Sequence, residues 1–243
     1  MKFKPHGYQE RAIQFIYDHP ACALFLSMGL GKTVATMTAL RHMQDVTMEV
    51  NKVLVIAPKS VAQNTWTSEC SKWDHLNDTR ISIVMGTEKR RTAALQEDAD
   101  IYVTNRDNVV WLASQYRKDK WPFDTVIIDE SSSFKSHQSK RFKALRSMRP
   151  NIRRIILLTG TPSPNGLEDL WAQIFLLDLG ERLGKTLTSY RTQYFTPGRG
   201  NGHVIYNWIP RKMARQQITE KISDICISMK ASDYLQLPDL IEA

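Results

Sequence analysis

The sequence is poor in cysteine and has no long apolar run. Its three cysteines, Cys22, Cys70 and Cys226, are odd in number and far apart, which argues against a disulfide framework. None has the spacing of a metal-binding motif, and structural zinc needs four ligands. The apolar runs fall well short of the roughly 20 residues of a membrane span, and the N-terminus lacks an apolar signal region. We therefore expect a globular, cytoplasmic protein with no membrane partner.

Acidic residues are missing from two long tracts. Residues 131–167 contain eight Lys and Arg residues and residues 182–219 contain seven, while neither tract has an Asp or Glu. The net charge of +8 is therefore segregated along the chain. Such a surface suits polyphosphate, because Lys and Arg release counterions when they neutralise a nucleic-acid backbone. Charge alone fits a pair of solvated basic faces equally well, so both interpretations stay open here.

A glycine-rich loop, "SMGLGKT", lies near the N-terminus between the apolar run "CALFL" and a segment of helical spacing. Gly31, Lys32 and Thr33 match the end of the phosphate-loop pattern G-x-x-x-x-G-K-[ST], but its first glycine position holds Leu26. Gly29 and Gly31 can still turn several backbone N–H groups towards one anion. The motif predicts that Lys32 reaches the outer phosphates of a nucleotide and that Thr33 offers its hydroxyl to Mg²⁺. A glycine turn before an ordinary helix is the alternative.

Strand-like and helix-like segments alternate along the chain. Short apolar runs occupy residues 22–26, 53–57, 81–84, 100–104, 125–129 and 155–160. Segments with helical spacing, such as "GYQERAIQFIYD" and "SKRFKALRSM", lie between most of them. This alternation predicts an α/β fold with a central, mostly parallel sheet flanked by helices. Ligands bind at the carboxyl ends of such strands, and three ends are rich in polar residues: "SMGLGKT", "DESS" and "TGTP".

The second of these strand ends carries two adjacent carboxylates, Asp129 and Glu130. Neighbours on an extended segment point in opposite directions, so the two acids have different tasks. Asp129 is placed to hold Mg²⁺, while Glu130 would orient or deprotonate an attacking water. A helix cap or an exposed turn is the structural alternative. The phosphate loop in the same predicted sheet favours the catalytic interpretation.

Six motifs in a fixed order extend this pattern over nearly the whole chain. They are "YQERAI", "MGLGKT", "VLVIAPKSVAQNTW", "IYVTNRD", "VIIDESSSFKS" and "ILLTGTPSPNGLEDLWAQIFLLD". In content and order they resemble the superfamily-two helicases and, within them, the Swi/Snf-type translocases of double-stranded DNA. The resemblance implies a RecA-like phosphate-loop NTPase domain that uses ATP and Mg²⁺ and binds duplex DNA.

The resemblance also implies a role for individual residues. Gln9 would read the adenine edge, a task that suits an amide with one acceptor and two donors. The implied nucleotide-binding residues are Gln9, Met28, Gly29, Leu30, Gly31, Lys32 and Thr33. The implied catalytic residues are Lys32, Asp129 and Glu130, and the implied metal ligands are Thr33 and Asp129. Thr159, Gly160 and Thr161 are implied to couple the state of the nucleotide to nucleic-acid binding. The implied contacts with the DNA backbone are made by Lys59, Ser60, Asn105 and Arg106.

The chain departs from the family pattern at several positions. Leu26 and Ser27 stand where the family commonly has an Asp-Glu pair. Ser131 and Ser132 follow the catalytic acids where relatives usually have Gly-His or Ala-His. Ser132 can form hydrogen bonds but cannot act as an imidazole does, so we expect altered coupling. Near the C-terminus, "SMKASDYLQLP" replaces a longer basic cluster.

The chain is short for a motor of this family. Such motors use two RecA-like lobes with the nucleotide in the cleft between them. The second lobe supplies arginines that stabilise the transferring phosphate, and such an arginine raises the rate by about 10³- to 10⁵-fold in related enzymes. The residues after "TGTP" are too few for a second lobe of about 100 to 150 residues. We expect a RecA-like ATP-binding lobe over residues 1–165. Residues 166–243 would add, within the same structural domain, a helical insertion, the closing strand "DICISM" and the start of an interlobe linker.

This organisation predicts an N-terminal ATP-binding lobe that hydrolyses ATP slowly without a second RecA-like lobe, supplied in cis or in trans. Two other function classes stay open. One is a non-enzymatic nucleic-acid-binding module with a vestigial nucleotide site, because fold does not fix function. The other is a different phosphate-loop enzyme, such as a nucleotide kinase. The intact Lys32, Thr33, Asp129 and Glu130 argue against the first, and "TGTP" with the acid-free tracts argues against the second.

Overall fold

A computed structural model describes residues 1–116, 120–201 and 204–234, which form nine strands and nine α-helices. The strands are β1 (Ala21–Leu26), β2 (Val53–Ala57), β3 (Ile81–Ile83), β4 (Ile101–Asn105), β5 (Thr125–Asp129), β6 (Arg154–Thr159), β7 (Phe195–Pro197), β8 (Trp208–Pro210) and β9 (Cys226–Met229). The helices are α1 (Gly7–Asp18), α2 (Lys32–Asp45), α3 (Lys59–Lys72), α4 (Glu88–Gln96), α5 (Val109–Gln115), α6 (Lys140–Met148), α7 (Glu168–Asp178), α8 (Leu187–Tyr194) and α9 (Ala214–Ile222).

Seven of the strands form one central sheet in the order β3-β4-β2-β5-β6-β1-β9. All six neighbouring pairs in this sheet are parallel. Parallel strands need crossover connections, and the chain supplies them as helices packed on both faces. The α/β fold with a parallel sheet flanked by helices, predicted from the sequence, is confirmed.

Both faces of the sheet are buried, which explains why its strands read as continuous apolar runs. In β1, Ala23 and Phe25 pack with the core on one face, while Cys22, Leu24 and Leu26 pack with the core on the other. The first core is closed by α5 to α9, and the second by α1, α2 and α3. The strand that leads into the phosphate loop is therefore held on both sides.

The region after "TGTP" contains α7, α8 and α9, and then β9, which pairs with the free side of β1. The structure adds one feature that the sequence did not predict, an antiparallel hairpin of β7 and β8. The glycine-rich segment "TPGRGNGHV" overlaps β7, and its residues 202–203 lie outside the described part of the chain. The predicted linker "LPDLIEA" also lies outside it. Within the described ranges, no helix is long and apolar enough to cross a membrane.

Candidate functional site

The three polar strand ends meet at one edge of the sheet, because β5, β6 and β1 are neighbours. A cleft of about 580 Å³ opens there between the phosphate loop, the start of the chain and α3. Eight residues expected to form the nucleotide site line it: Gln9, Met28, Gly29, Gly31, Lys32, Thr33, Asp129 and Glu130. Leu30, also expected there, is fully buried beneath the loop. The structure thus brings the sequence-predicted nucleotide residues together.

The phosphate loop depends on two glycines in left-handed conformations. Gly29 has φ 84° and Gly31 has φ 68°, a region that side chains other than glycine rarely adopt. At Gly31 a Cβ atom would also lie 2.5 Å from Gln9 Nε2, whereas at Gly29 it would meet nothing within 4 Å. Leu26, at the missing first glycine position, is the last residue of β1 and is fully buried. Its position is in the sheet, so no glycine is needed there.

Gln9 is built into the site rather than exposed on α1. It is 6% exposed, and its Oε1 accepts a hydrogen bond from the His6 backbone N–H at 2.9 Å. Its Nε2 donates to the Leu30 carbonyl at 3.4 Å, at the base of the phosphate loop. Gln9 therefore fixes the loop to the start of α1. The second N–H of its amide has no partner among the described residues and stays available to a ligand.

Lys32, the first residue of α2, folds back over the loop. Its Nζ donates to the Leu26 carbonyl at 2.8 Å and to the Ser27 carbonyl at 3.4 Å. Burial lowers the pKa of this ammonium group, and the charges of Glu130 and Asp129 oppose that shift. The ammonium is thus held by neutral acceptors next to two carboxylates, a placement from which it can reach an anion in the cleft.

Asp129 ends β5 in a buried position, 8% exposed. Burial raises the pKa of its carboxyl group, and the neighbouring Glu130 adds to the rise. Trp66 Nε1 donates a hydrogen bond to Asp129 Oδ2 at 3.1 Å, which together with the charge of Lys32 favours the ionised form. Trp66 comes from α3 and is fully buried. Sequence reasoning missed it, because a tryptophan in a helix is more often a core residue than a partner of a catalytic acid.

Glu130 has φ 55° and ψ 60°, a strained conformation for a residue with a side chain and one that often marks functional sites. Its Oε2 accepts a hydrogen bond from Thr159 Oγ1 at 3.1 Å. The same hydroxyl accepts from the Thr161 backbone N–H at 3.1 Å. Gly160 lies against the phosphate loop, since a Cβ atom there would be 3.6 Å from the Met28 backbone nitrogen. The "TGTP" segment therefore touches both Glu130 and the loop.

The residues expected to contact DNA lie at the same edge of the sheet but outside the cleft. Lys59 and Ser60 begin α3 just after β2 and are exposed. Asn105 ends the neighbouring strand β4, opposite Ala57, and Arg106 follows it. Asn105 also has a local structural role, because its Oδ1 accepts from the Asn108 backbone N–H at 3.2 Å. The four residues are thus close together at two adjacent strand ends.

The two acid-free tracts are not uniform basic surfaces. Five of their arginines bind backbone carbonyls or carboxylates of this chain: Arg149, Arg154, Arg182, Arg191 and Arg211. Arg149, for example, donates to the carbonyls of Leu176 and Leu177 at the end of α7. Part of the charge in these tracts therefore stabilises the fold and is available neither to a nucleic acid nor to a solvated basic face.

Comparison with known proteins agrees with this arrangement. The model of the SNF2-related domain family matches residues 8–228. Protein p41 of the Acyrthosiphon pisum secondary endosymbiont phage 1 is 38% identical over 98% of this chain and 53% of its own length. The chromatin-remodeling ATPase INO80 of Emericella nidulans is 32% identical over 62% of this chain and 10% of its own length. The chain thus spans about half the phage relative and a small part of INO80.

Two solved structures of a Sulfolobus solfataricus protein have the same fold. The SWI2/SNF2 ATPase core in complex with double-stranded DNA has a TM-score of 0.76 and 26% identity, over 95% of this chain and 45% of its own. The ATPase core domain solved separately has a TM-score of 0.72 and 25% identity, over 98% of this chain and 46% of its own. The chain belongs to the SNF2-related domain family and is the N-terminal RecA-like lobe of a Swi/Snf-type member of the superfamily-two helicases.

Proposed function

We propose that this chain is the ATP-binding lobe of an ATP-dependent translocase that acts on double-stranded DNA. The observation that carries the proposal is the convergence of Lys32, Asp129 and Glu130 in one cleft whose loop supplies backbone N–H groups at the N-terminus of α2. A nucleic-acid-binding module without catalysis has no need of a buried carboxylate near a partly buried ammonium, since taking either charge out of water costs free energy.

Each residue of the cleft has a distinct task in ATP hydrolysis. Lys32 would exchange its two carbonyl acceptors for phosphate oxygens. Glu130, held by the Thr159 hydroxyl, would orient and deprotonate the attacking water. Asp129 and Thr33 offer the hard oxygen atoms that Mg²⁺ prefers. The ion would neutralise charge on the phosphates. Within the described ranges, no group of three or more His, Cys, Asp or Glu side chains is placed to hold a metal ion, but Mg²⁺ at phosphate sites needs only one or two carboxylates.

The composition of the cleft supports a need for a second RecA-like lobe. Among the described residues that line it, the basic side chains are three lysines and His6, and none is an arginine. An arginine placed across the cleft stabilises the transferring phosphoryl group and contributes about 10³ to 10⁵ in rate in related enzymes. We infer that another lobe, in cis or in trans, supplies this group and that the present chain alone turns over slowly.

Nucleotide binding by this chain tests the proposal. Titration calorimetry with ATP and Mg²⁺ is expected to show binding that Lys32→Ala weakens by about tenfold or more, because a charge-assisted contact is lost. Lys140→Ala is the matched control, since Lys140 likewise is the first residue of a helix but lies outside the cleft. Absence of binding, or equal binding by both variants, would contradict the nucleotide site. Fast DNA-stimulated hydrolysis by this chain alone would contradict the need for a second lobe.

A further inference from the structure

A buried polar pair lies directly behind the catalytic acids. Ser131, the residue after Glu130, is fully buried, and its Oγ donates a hydrogen bond to Gln173 Oε1 at 2.8 Å. Gln173 is also fully buried, in the middle of α7. Ser132, which the sequence offered as the substitute for the family histidine, has no side-chain hydrogen bond to another described residue. The polar contact is made by Ser131 instead.

The amide of Gln173 also reaches the "TGTP" segment. Its Nε2 donates to the Pro162 carbonyl at 2.6 Å and to the Asp169 carbonyl at 2.9 Å. The side chain therefore holds the segment after β5 with its oxygen and the segment after β6 with its nitrogen. Every other residue of α7 from Leu170 to Leu177 is apolar and buried, so this glutamine is the exception in an otherwise apolar stretch.

These contacts close a ring. Glu130 Oε2 is bound by the Thr159 hydroxyl, which is bound by the Thr161 backbone N–H. Thr161 is followed by Pro162, whose carbonyl is bound by Gln173, which is bound by Ser131, the covalent neighbour of Glu130. In a closely packed interior, such a ring of hydrogen bonds and backbone restrains the positions of its members relative to one another.

We propose that Gln173 is a positioning residue that, with Ser131, couples the Asp129-Glu130 strand end to the "TGTP" segment. The inference rests on the proposed nucleotide site and goes beyond it. A nucleotide that moves Glu130 would then move Pro162 and Thr161 as well. The link is carried by a helix that touches no nucleotide, since Gln173 does not line the cleft.

Hydrogen exchange of this chain with and without ADP and Mg²⁺ tests the link. In the unaltered chain, nucleotide is expected to change the exchange of amides in residues 159–166. In Gln173→Leu and in Ser131→Ala that change should shrink by about 2-fold to 30-fold, the range found for mutations within coupled networks, while nucleotide affinity stays within about twofold. The double variant should lose no more than either single variant, because both remove the same link.

Ser82→Ala is the matched control. Ser82 lies in β3, away from the ring, and is 1% exposed. Its Oγ donates a hydrogen bond to the Ala94 carbonyl in α4 at 2.8 Å, so loss of this hydroxyl lowers stability without changing any contact of the ring. A full nucleotide response in Gln173→Leu, or no response in the unaltered chain that nonetheless binds ADP, would overturn the coupling role alone. An unaltered chain that binds no nucleotide would overturn the proposed function and this inference together.

Discussion

The indole Nε1 of Trp66 lies 3.1 Å from Asp129 Oδ2 and donates a hydrogen bond to it, although the two residues are 63 positions apart. The contact joins α3, which carries two of the expected DNA-contact residues at its start, to the carboxylate expected to hold Mg²⁺. One buried donor thus sets the position of the acid and opposes the rise in the pKa of its carboxyl group.

Trp66→Phe should destabilise the chain by about 1–3 kcal/mol, because a buried carboxylate loses its donor. Trp73→Phe is the control, since Trp73 Nε1 donates to Glu69 Oε2 at 2.7 Å in a more exposed setting where water can replace it. Urea unfolding measures both. The lost bond matters most when Asp129 is ionised, so the cost of Trp66→Phe should be larger at pH 7 than at pH 4. If the loss of stability in Trp66→Phe is the same at both pH values, it comes from lost packing and not from the lost hydrogen bond.

The raised pKa of Asp129 makes its ionisation a cost to the fold. A group whose pKa is higher in the folded than in the unfolded state stabilises below its unfolded pKa and loses that contribution as pH rises through the folded value. Asp129→Asn, which keeps an acceptor for Trp66, should therefore raise Tm at pH 7. Tm is expected to rise by about 2–4 °C for each kcal/mol by which the substitution stabilises the fold, and this gain should shrink towards pH 4. Thermal scans across this range check the sign, and a lower Tm at pH 7 would contradict it.

Gly31→Ala should be more disruptive than Gly29→Ala. Both changes place a side chain at positive φ, at a cost of about 1 kcal/mol, but only the new Cβ at position 31 would meet Gln9, 2.5 Å away. Gly31→Ala should accordingly lose more stability and more ATP affinity. Adding Gln9→Ala to it should recover part of the stability, whereas the same addition to Gly29→Ala should not. Equal effects at the two glycines would show that only backbone conformation matters.

Glu130→Gln should separate binding from turnover. The new amide keeps an acceptor for the Thr159 hydroxyl but cannot take a proton, so ATP affinity should persist while hydrolysis in the two-lobed protein falls by about 10²- to 10⁴-fold. Glu69→Gln, on another acid that lines the cleft, should leave turnover nearly unchanged. Normal hydrolysis by Glu130→Gln would remove this residue from the catalytic set.

Duplex DNA binding should depend on salt and on the basic residues at the carboxyl edge of the sheet. Arg106→Ala is expected to weaken binding for all sequences and to lower the slope of log K against log salt by about 1. Arg153→Ala is the matched control, because this exposed arginine immediately precedes the opposite, amino end of β6. Fluorescence anisotropy at several salt concentrations measures both. Equal losses would point to a diffuse basic surface rather than this edge.

Local patterns in the sequence predicted much of this architecture. Each apolar run became a strand because burial on both faces of a parallel sheet demands continuous apolar residues. The order of strands is absent from such patterns, since nothing local in "DICISM" says that it pairs with β1. The hairpin of β7 and β8 was missed for a related reason: its strands are only three residues long and mostly exposed.

The site divides in the same way. Motif residues at strand ends were predictable, because the carboxyl edge of a parallel sheet gathers them. The contacts of Trp66 with Asp129 and of Ser131 with Gln173 were not predictable, because tertiary packing brings these residues together. The first pair is 63 positions apart in the sequence and the second pair is 42 positions apart. The charge pattern of the sequence likewise does not show that Arg149 donates to a backbone carbonyl and Arg182 to a carboxylate of the same chain.

The place of β1 between β6 and β9 has a consequence for how the nucleotide site is built during synthesis. Ala21 pairs with Ile155, and Ala23 pairs with Cys226. A ribosome makes the phosphate loop early but makes both flanking strands of β1 much later. The loop therefore cannot take its place between two hydrogen-bonded neighbours until nearly all of the described chain has emerged. A motif that is translated early is thus among the last to become a site.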